Sequence, residues 1–309
     1  MIPLFVIAPA ALFCIMTLHA QNFADRIVIV DPLADPTRNG PGTTWLPGTV
    51  LYAEFSRYSE GSGDDHRWNA RTGGAIEVVR VDSAWSVAIM GTMEVVVDPQ
   101  NDITFNPRAI FWEEGLFVTR SLGDDMALEV GYMHRCKHDI DNLEVLTRGG
   151  MLEQRTLIYS GPSARLLLRP RAIGSTPLLW GLGIRGDLFT HLLDDRLRSD
   201  ARGVGRDMES GIASMTFDLR GSWRPGLRRI AIGLNLGWMA SIFGDEPGPV
   251  LLGSIPYVEF GFHLFNPQGG AFVLFARGEF QRDTGIRSIP ESKKLVMIGI
   301  RMGSWQAIW

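Results

Sequence analysis

Lysine is nearly missing from this chain: of 30 basic residues, all but Lys137, Lys293 and Lys294 are arginine. Cysteine is scarcer, with Cys14 and Cys136 alone, so a disulfide-stapled scaffold is excluded. Beyond residue 20 there is no apolar run of the roughly 18–20 residues that a membrane-spanning helix needs, which excludes a polytopic helical membrane protein. A net charge of -4 leaves no basic footprint for nucleic acid. No phosphate-cradling loop surrounds the lone Gly-x-Gly at Gly181–Gly183, which reads as strand packing. What is present is apolar material, 45% of 309 residues with 10% aromatic. That is too much for a disordered chain and enough for one large domain.

Residues 1–20, MIPLFVIAPAALFCIMTLHA, form an apolar stretch that ends in a small residue and gives way to the polar QNFADR. The stretch reads as a secretory signal cut after Ala20. No Lys or Arg precedes it and Leu18 is bulky for its place, so an uncleaved anchor helix is the alternative. Leu12 and Phe13 before Cys14 do not make a lipobox. With the signal gone, Cys136 is the single cysteine of the mature protein. Residues 21–48, rich in Pro and Gly, read as an irregular periplasmic lead, and no linker divides residues 49–309.

The second half of the chain alternates with period two. Leu178, Trp180, Leu182, Ile184 and Leu188 oppose Gly181, Gly183, Arg185 and Asp187. Side chains alternate across a strand, so such a segment has one greasy and one polar face. The same pattern recurs with Met215, Phe217 and Leu219 against Asp218 and Arg220, and with Ile230–Trp238 against glycines and Asn235. It returns with Val258–Leu264 against Glu259 and His263, with Phe272–Phe280 against Arg277 and Glu279, and with Val296–Met302 against Gly299 and Arg301. A soluble sandwich also alternates. Segments of about 9–11 residues with an unbroken apolar face match tilted transmembrane strands, and only closure satisfies every backbone group in lipid. The reading is an all-β, antiparallel transmembrane β-barrel in the bacterial outer membrane.

Earlier in the chain, candidate strands lie at Val50–Ser56, Ala75–Val81, Trp85–Val96, Thr104–Trp112, Leu116–Ser121, Met126–His134, Arg155–Ser160 and Ala164–Arg171. The total is fourteen candidates. Mergers among the short ones leave ten to fourteen strands, with twelve the central expectation. Residues 194–210 read as an outer loop. Trp180, Trp223, Trp238, Phe243 and Trp305 read as interface girdles near strand ends. Arg185, Asp187, Asp218, Arg220, Glu259 and Arg277 are expected to form a lumenal charge network, joined by His263, which makes a narrow or plugged barrel of structural, binding or small-channel type.

Three polar clusters carry possible chemistry. The densest is residues 134–142, HRCKHDIDN, where His134, Cys136 and His138 share one parity and Asp141 follows. Imidazole, thiolate and carboxylate together suit general-base hydrolysis, metal binding, or simply a polar rim. The second, residues 64–71 with His66, Arg67, Trp68 and Arg71, reads as a hairpin tip able to bind sugar phosphates. His191 with Asp194 and Asp195 reads as an acidic turn.

Asp31-Pro32-Leu33-Ala34-Asp35-Pro36, the following barrel pattern and the H-x-C-x-H-D sequence at residues 134–139 resemble a family of uncharacterised bacterial outer-membrane proteins. Its members carry a similar lead and a H-x-S-x-H-x-x-D motif. The resemblance implies a barrel with Cys136 at the Ser position and Asp141 at the final Asp. More loosely, the element is similar to that of barrel enzymes that remove acyl chains from lipid A or phospholipids. That resemblance implies a membrane-surface acyl-hydrolase using His134, Cys136, His138 and Asp141. The expected partners are outer-membrane lipid, lipopolysaccharide and the barrel assembly machinery, which often reads a final aromatic such as Trp309. No nucleic acid and no cofactor are expected.

Overall fold

A strand whose two faces differ this sharply must be sorted between two solvents, and a computed structural model shows how. It describes residues 41–59, 66–98, 106–139, 156–172, 177–194, 210–226, 229–244, 250–266, 268–281 and 293–304. Among them are β1 (Thr43–Tyr58), β2 (Trp68–Val81), β3 (Trp85–Asp98), β4 (Asn106–Ser121), β5 (Met126–Asp139), β6 (Thr156–Ala172), β7 (Leu178–Leu188), β8 (His191–Asp194), β9 (Ser210–Trp223), β10 (Ile230–Gly244), β11 (Val250–Phe265), β12 (Gly270–Gln281) and β13 (Lys293–Ser304). Each pairs antiparallel with its neighbours, and β1 pairs with β13. β7 and β8 both lie along β6 and form one interrupted stave, so the thirteen segments close a barrel of twelve strands.

Twelve arises from the fourteen candidates by two fusions. The candidates at 104–112 and 116–121 fall, over their described residues, on one strand, β4, and those at 155–160 and 164–171 on one strand, β6. The Gly161-Pro162-Ser163 run separates two of the candidate strands, yet β6 continues through it. Pro162 has no N–H to donate, and it falls where the ladder from β6 to the next stave is already interrupted. Gly161 is required there because a Cβ would lie 1.8 Å from the Leu188 carbonyl oxygen, so the β7–β8 break is seated on this glycine.

Three further boundaries move. The barrel begins at Thr43 rather than 49, because Thr43–Trp45 pair with Val79–Val81. Trp68–Arg71 belong to β2 rather than to a hairpin tip. The segment read as an acidic turn around His191 is the strand β8, with Asp195 outside the described residues. Residues 1–40, 195–209 and 305–309, with the signal, lead, outer-loop and terminal-aromatic expectations, also lie outside them.

The outward parity carries a continuous apolar belt. Leu116, Tyr132, Leu188, Phe260, Ile298 and Met302 are all exposed, Phe260 by 59% and Ile298 by 64%. No water-soluble surface of this size stays so apolar, whereas lipid demands it. Trp85, Trp180 and Trp223 stand outward at one rim. Trp238 lies within β10 instead, stacked on Phe217 at 5.5 Å. Connections at the Trp85 rim are three to six residues long and those at the other rim five to sixteen, the asymmetry of periplasmic turns and outer loops. The tightest turn, Val81–Ala84, has positive φ at both Asp82 and Ser83, the geometry whose twist matches a hairpin. The chain is an outer-membrane barrel.

Candidate functional site

The inward parity is filled rather than hollow. Glu54, Arg301, Arg277 and Glu259 come from the neighbouring strands β1, β13, β12 and β11 and cluster on one stretch of the inner wall, Glu54 directly opposite Arg301 and Glu259 directly opposite Arg277. Arg277 donates to Glu54 at 2.9 and 3.0 Å, Arg301 donates to Glu54 at 2.8 Å, and Arg301 donates to Glu259 at 2.7 and 3.1 Å. Both guanidinium groups lie against Phe275, 4.8 and 5.0 Å from its ring centre. A second group joins Glu113 to Arg135 at 2.7 Å and to Arg185 at 2.9 Å, while Arg185 also holds Asp187 at 2.7 Å. Asp218 accepts from Arg220 at 2.8 Å and from the Tyr257 hydroxyl at 2.7 Å. Arg165 pairs with Glu129. Each of these buried charges meets an opposite one, as burial requires.

Apolar side chains complete the fill. Toward the loop rim Tyr58, Val96, Phe111, Tyr159 and Leu295 form a buried stopper. Toward the turn rim Val50, Tyr52, Ala75 and Ala88 pack together. Between these layers, a void lined by Tyr52, Met90, Glu129 and Arg185 measures about 30 Å³, room for a few waters at most. His263 is buried in the lumen against Phe265, 6.0 Å between ring centres.

The second hairpin-tip set divides. His66 packs edge-on against the inward Tyr58 at 5.2 Å. Arg67 bonds through its backbone to Tyr58 and Val97. Trp68 stacks on the lipid-facing Phe55 at 5.2 Å with Arg57 over its ring, whereas Arg71 turns into the lumen to Glu94 at 3.4 Å. Arg71 and Trp68 therefore serve opposite faces of the wall.

The lipid-facing wall holds the unexpected site. On β5 the inward residues are Ala127, Glu129, Met133 and Arg135, so His134 and Cys136 have the outward parity, His134 half-buried and Cys136 buried. The His134 Nδ1 lies 2.9 Å from the Ser160 Oγ on β6. The pair is made by register: Glu114, His134 and Ser160 stand directly opposite one another across β4, β5 and β6, and His191 of β8 follows Ser160 in the same row. Glu114 is also outward, between Trp112 and Leu116, and its carboxylate accepts the Trp112 indole N–H at 3.1 Å. Cys136, buried and reduced, stands opposite Trp112 and Ile158 instead. The His138 backbone lies opposite Ile110 and Thr156. Its side chain and all of Asp141 are outside the described residues.

The depth of this row follows from the strand. Leu128 is level with the Trp85–Arg120 pair of the turn rim, where Arg120 covers the Trp85 ring at 4.9 Å. His134 is six residues farther up β5. At about 3.4 Å per residue and a tilt of about 40° that is roughly 16 Å, inside an apolar band about 25 Å tall. Ionisable groups facing hydrocarbon are expensive, which makes this row the candidate functional site. A Ser hydroxyl bonded to an imidazole, with a carboxylate beside it, is the arrangement of nucleophile, base and orienting acid. Ser160 and Glu114 lie at the two gaps that the alternation opened in β6 and β4. Read as continuous strands, those segments put a Ser and a Glu on an otherwise apolar face.

No protein-family model matches the chain, and no curated protein matches it. Among solved structures it is similar to outer membrane phospholipase A from Escherichia coli, at 9% identity and a TM-score of 0.45, over 82% of this chain and 92% of that one. It is also similar to LpxR from Salmonella typhimurium, at 10% identity and 0.43, over 82% and 99%. A third is the transport unit of the autotransporter AIDA-I from Escherichia coli, at 11% and 0.42, over 83% and 88%.

Proposed function

We propose that this protein is an acyl-ester hydrolase of the bacterial outer membrane, working on its lipid-facing wall with Ser160 as nucleophile and His134 as base. The observation that carries the reading is the 2.9 Å bond between those two side chains at membrane depth. His134 takes the Ser160 proton as Oγ attacks the ester carbonyl of a lipid. The alcohol half leaves with that proton, and water then releases the fatty acid from the acyl-serine. Glu114, opposite His134, orients and balances the imidazolium. The site lies toward the loop rim, so the substrates are outer-leaflet lipids, phospholipid or lipopolysaccharide. In this reading Ser160, not Cys136, is the nucleophile and His134 is the base.

The test is fatty-acid release from phosphatidylcholine and from lipopolysaccharide by the purified barrel. Ser160→Ala and His134→Ala each lower the rate by about 10²–10⁴-fold, while Cys136→Ser leaves it near wild type. A wild-type barrel that releases no fatty acid from either lipid ends the hydrolase reading, and loss confined to Cys136→Ser transfers the nucleophile to the thiol. The filled lumen supports a second reading, a structural barrel that conducts no large solute.

A further inference from the structure

Glu114 faces His134 across the β4–β5 pair, and side chains so placed have Cβ atoms about 4.5–5.5 Å apart. Its carboxylate nevertheless bonds Trp112, two residues away on the same face of β4, at 3.1 Å. The second ring nitrogen of His134 has no hydrogen bond among the described residues. Trp112 is itself 44% exposed to the lipid side. The acid of the site is thus tied to a donor that an incoming lipid can reach, one step from the imidazole it would serve. In hydrocarbon no water competes for these groups, so each exchanges among few partners. The indole N–H has the carboxylate or an acceptor carried by a lipid. The carboxylate has the indole or the imidazole N–H.

We propose that Trp112 and Glu114 form a substrate-operated latch: an ester carbonyl oxygen of a bound lipid accepts the indole N–H, and the released carboxylate of Glu114 turns to His134 and completes the row Glu114–His134–Ser160. This rests on the hydrolase reading and adds its regulation. No bond is made or broken beyond hydrogen bonds. With the Ser160 hydroxyl donating to Nδ1, the other ring nitrogen carries the proton that Glu114 accepts. The barrel is then idle in the absence of lipid and armed at a membrane.

Two measurements test it on the full-length barrel, with folding of every variant verified by its heat-dependent gel mobility. The first is the rate at which a water-soluble fluorophosphonate labels Ser160, in lipid-free maltoside micelles and in phosphatidylcholine vesicles. Wild type is labelled at least about tenfold faster in vesicles; Trp112→Phe, which keeps a ring and removes the donor, is fast in both; Glu114→Gln is slow in both. Equal wild-type rates in the two media, or a Trp112→Phe rate in micelles equal to wild type, overturns the latch while leaving Ser160 a nucleophile. Absence of labelling in every protein overturns the hydrolase reading and the latch with it. The second is the infrared carboxylate band assigned by subtracting Glu114→Gln from wild type. It shifts when phosphatidylcholine is added, and a band that stays in place overturns the latch whatever Ser160 does.

Discussion

Removing Glu54 distinguishes a filled lumen from a hydrated one. Its carboxylate receives bonds at 2.8–3.0 Å from both Arg277 and Arg301, and all four members of the Glu54, Glu259, Arg277, Arg301 cluster are buried. Glu54→Leu leaves two guanidinium groups with Glu259 as the remaining carboxylate of the cluster. Breaking a buried pair on one side costs about 3–5 kcal/mol, because the orphaned charge stays desolvated. In a water-filled lumen the same charges are screened and the loss is about 0–1 kcal/mol. The second change, Arg301→Met, removes the surplus charge. If burial sets the energy, Glu54→Leu/Arg301→Met recovers to within about 1–2 kcal/mol of wild type, since apolar replacement of a buried pair is near neutral. The coupling energy of the cycle is then at least about 2 kcal/mol. The assay is reversible guanidinium unfolding of the barrel in phosphatidylcholine vesicles, followed by tryptophan fluorescence. A single-mutant loss under about 1 kcal/mol, or two losses that simply add, refutes the filled lumen.

Two further outcomes follow from the same geometry. In a planar bilayer the barrel passes no porin-sized current, because charged and apolar side chains occlude it between the Tyr58 stopper and the Val50 layer; steady large conductance in single-channel recording contradicts this. Gly161→Ala puts a Cβ 1.8 Å from the Leu188 carbonyl oxygen, forces the β7–β8 break away from β6, and lowers stability by about 1–3 kcal/mol. It also slows fluorophosphonate labelling of the adjacent Ser160. A variant as stable and as reactive as wild type shows that the break is not seated there.

How much of this was legible in the chain depends on the range of the signal. In β7 and in β9–β13 the two-residue rhythm is local, and it sorts Leu182 from Arg185, or Phe260 from Glu259, without any knowledge of the partner strand. It weakens in β4 and β6. Glu113 and Glu114 are consecutive acids that face opposite sides of the wall, and Gly161-Pro162-Ser163 interrupts the apolar rhythm. Each hides a strand that pairing on both edges holds extended. The H-x-C pattern did point to His134, but to a partner on its own strand. Cys136 shares its face with His134, whereas the bonded hydroxyl comes from β6, 26 residues away.

In β7 and β9–β13 the amino-acid order alone determined which residues face oil and which face the interior, since alternation needs nothing beyond the geometry of an extended backbone. It determined the class of fold as well, because an apolar outside with charge inside is stable only as a closed ring in lipid. Tertiary structure decided the number of staves, the pairing of Glu54 with Arg277 and Arg301, and the row Glu114–His134–Ser160. Those depend on register between strands. A slip of one residue would carry every side chain to the other face, and register is set by turns, breaks such as the one between β7 and β8 opposite Gly161, and the packing of the whole wall.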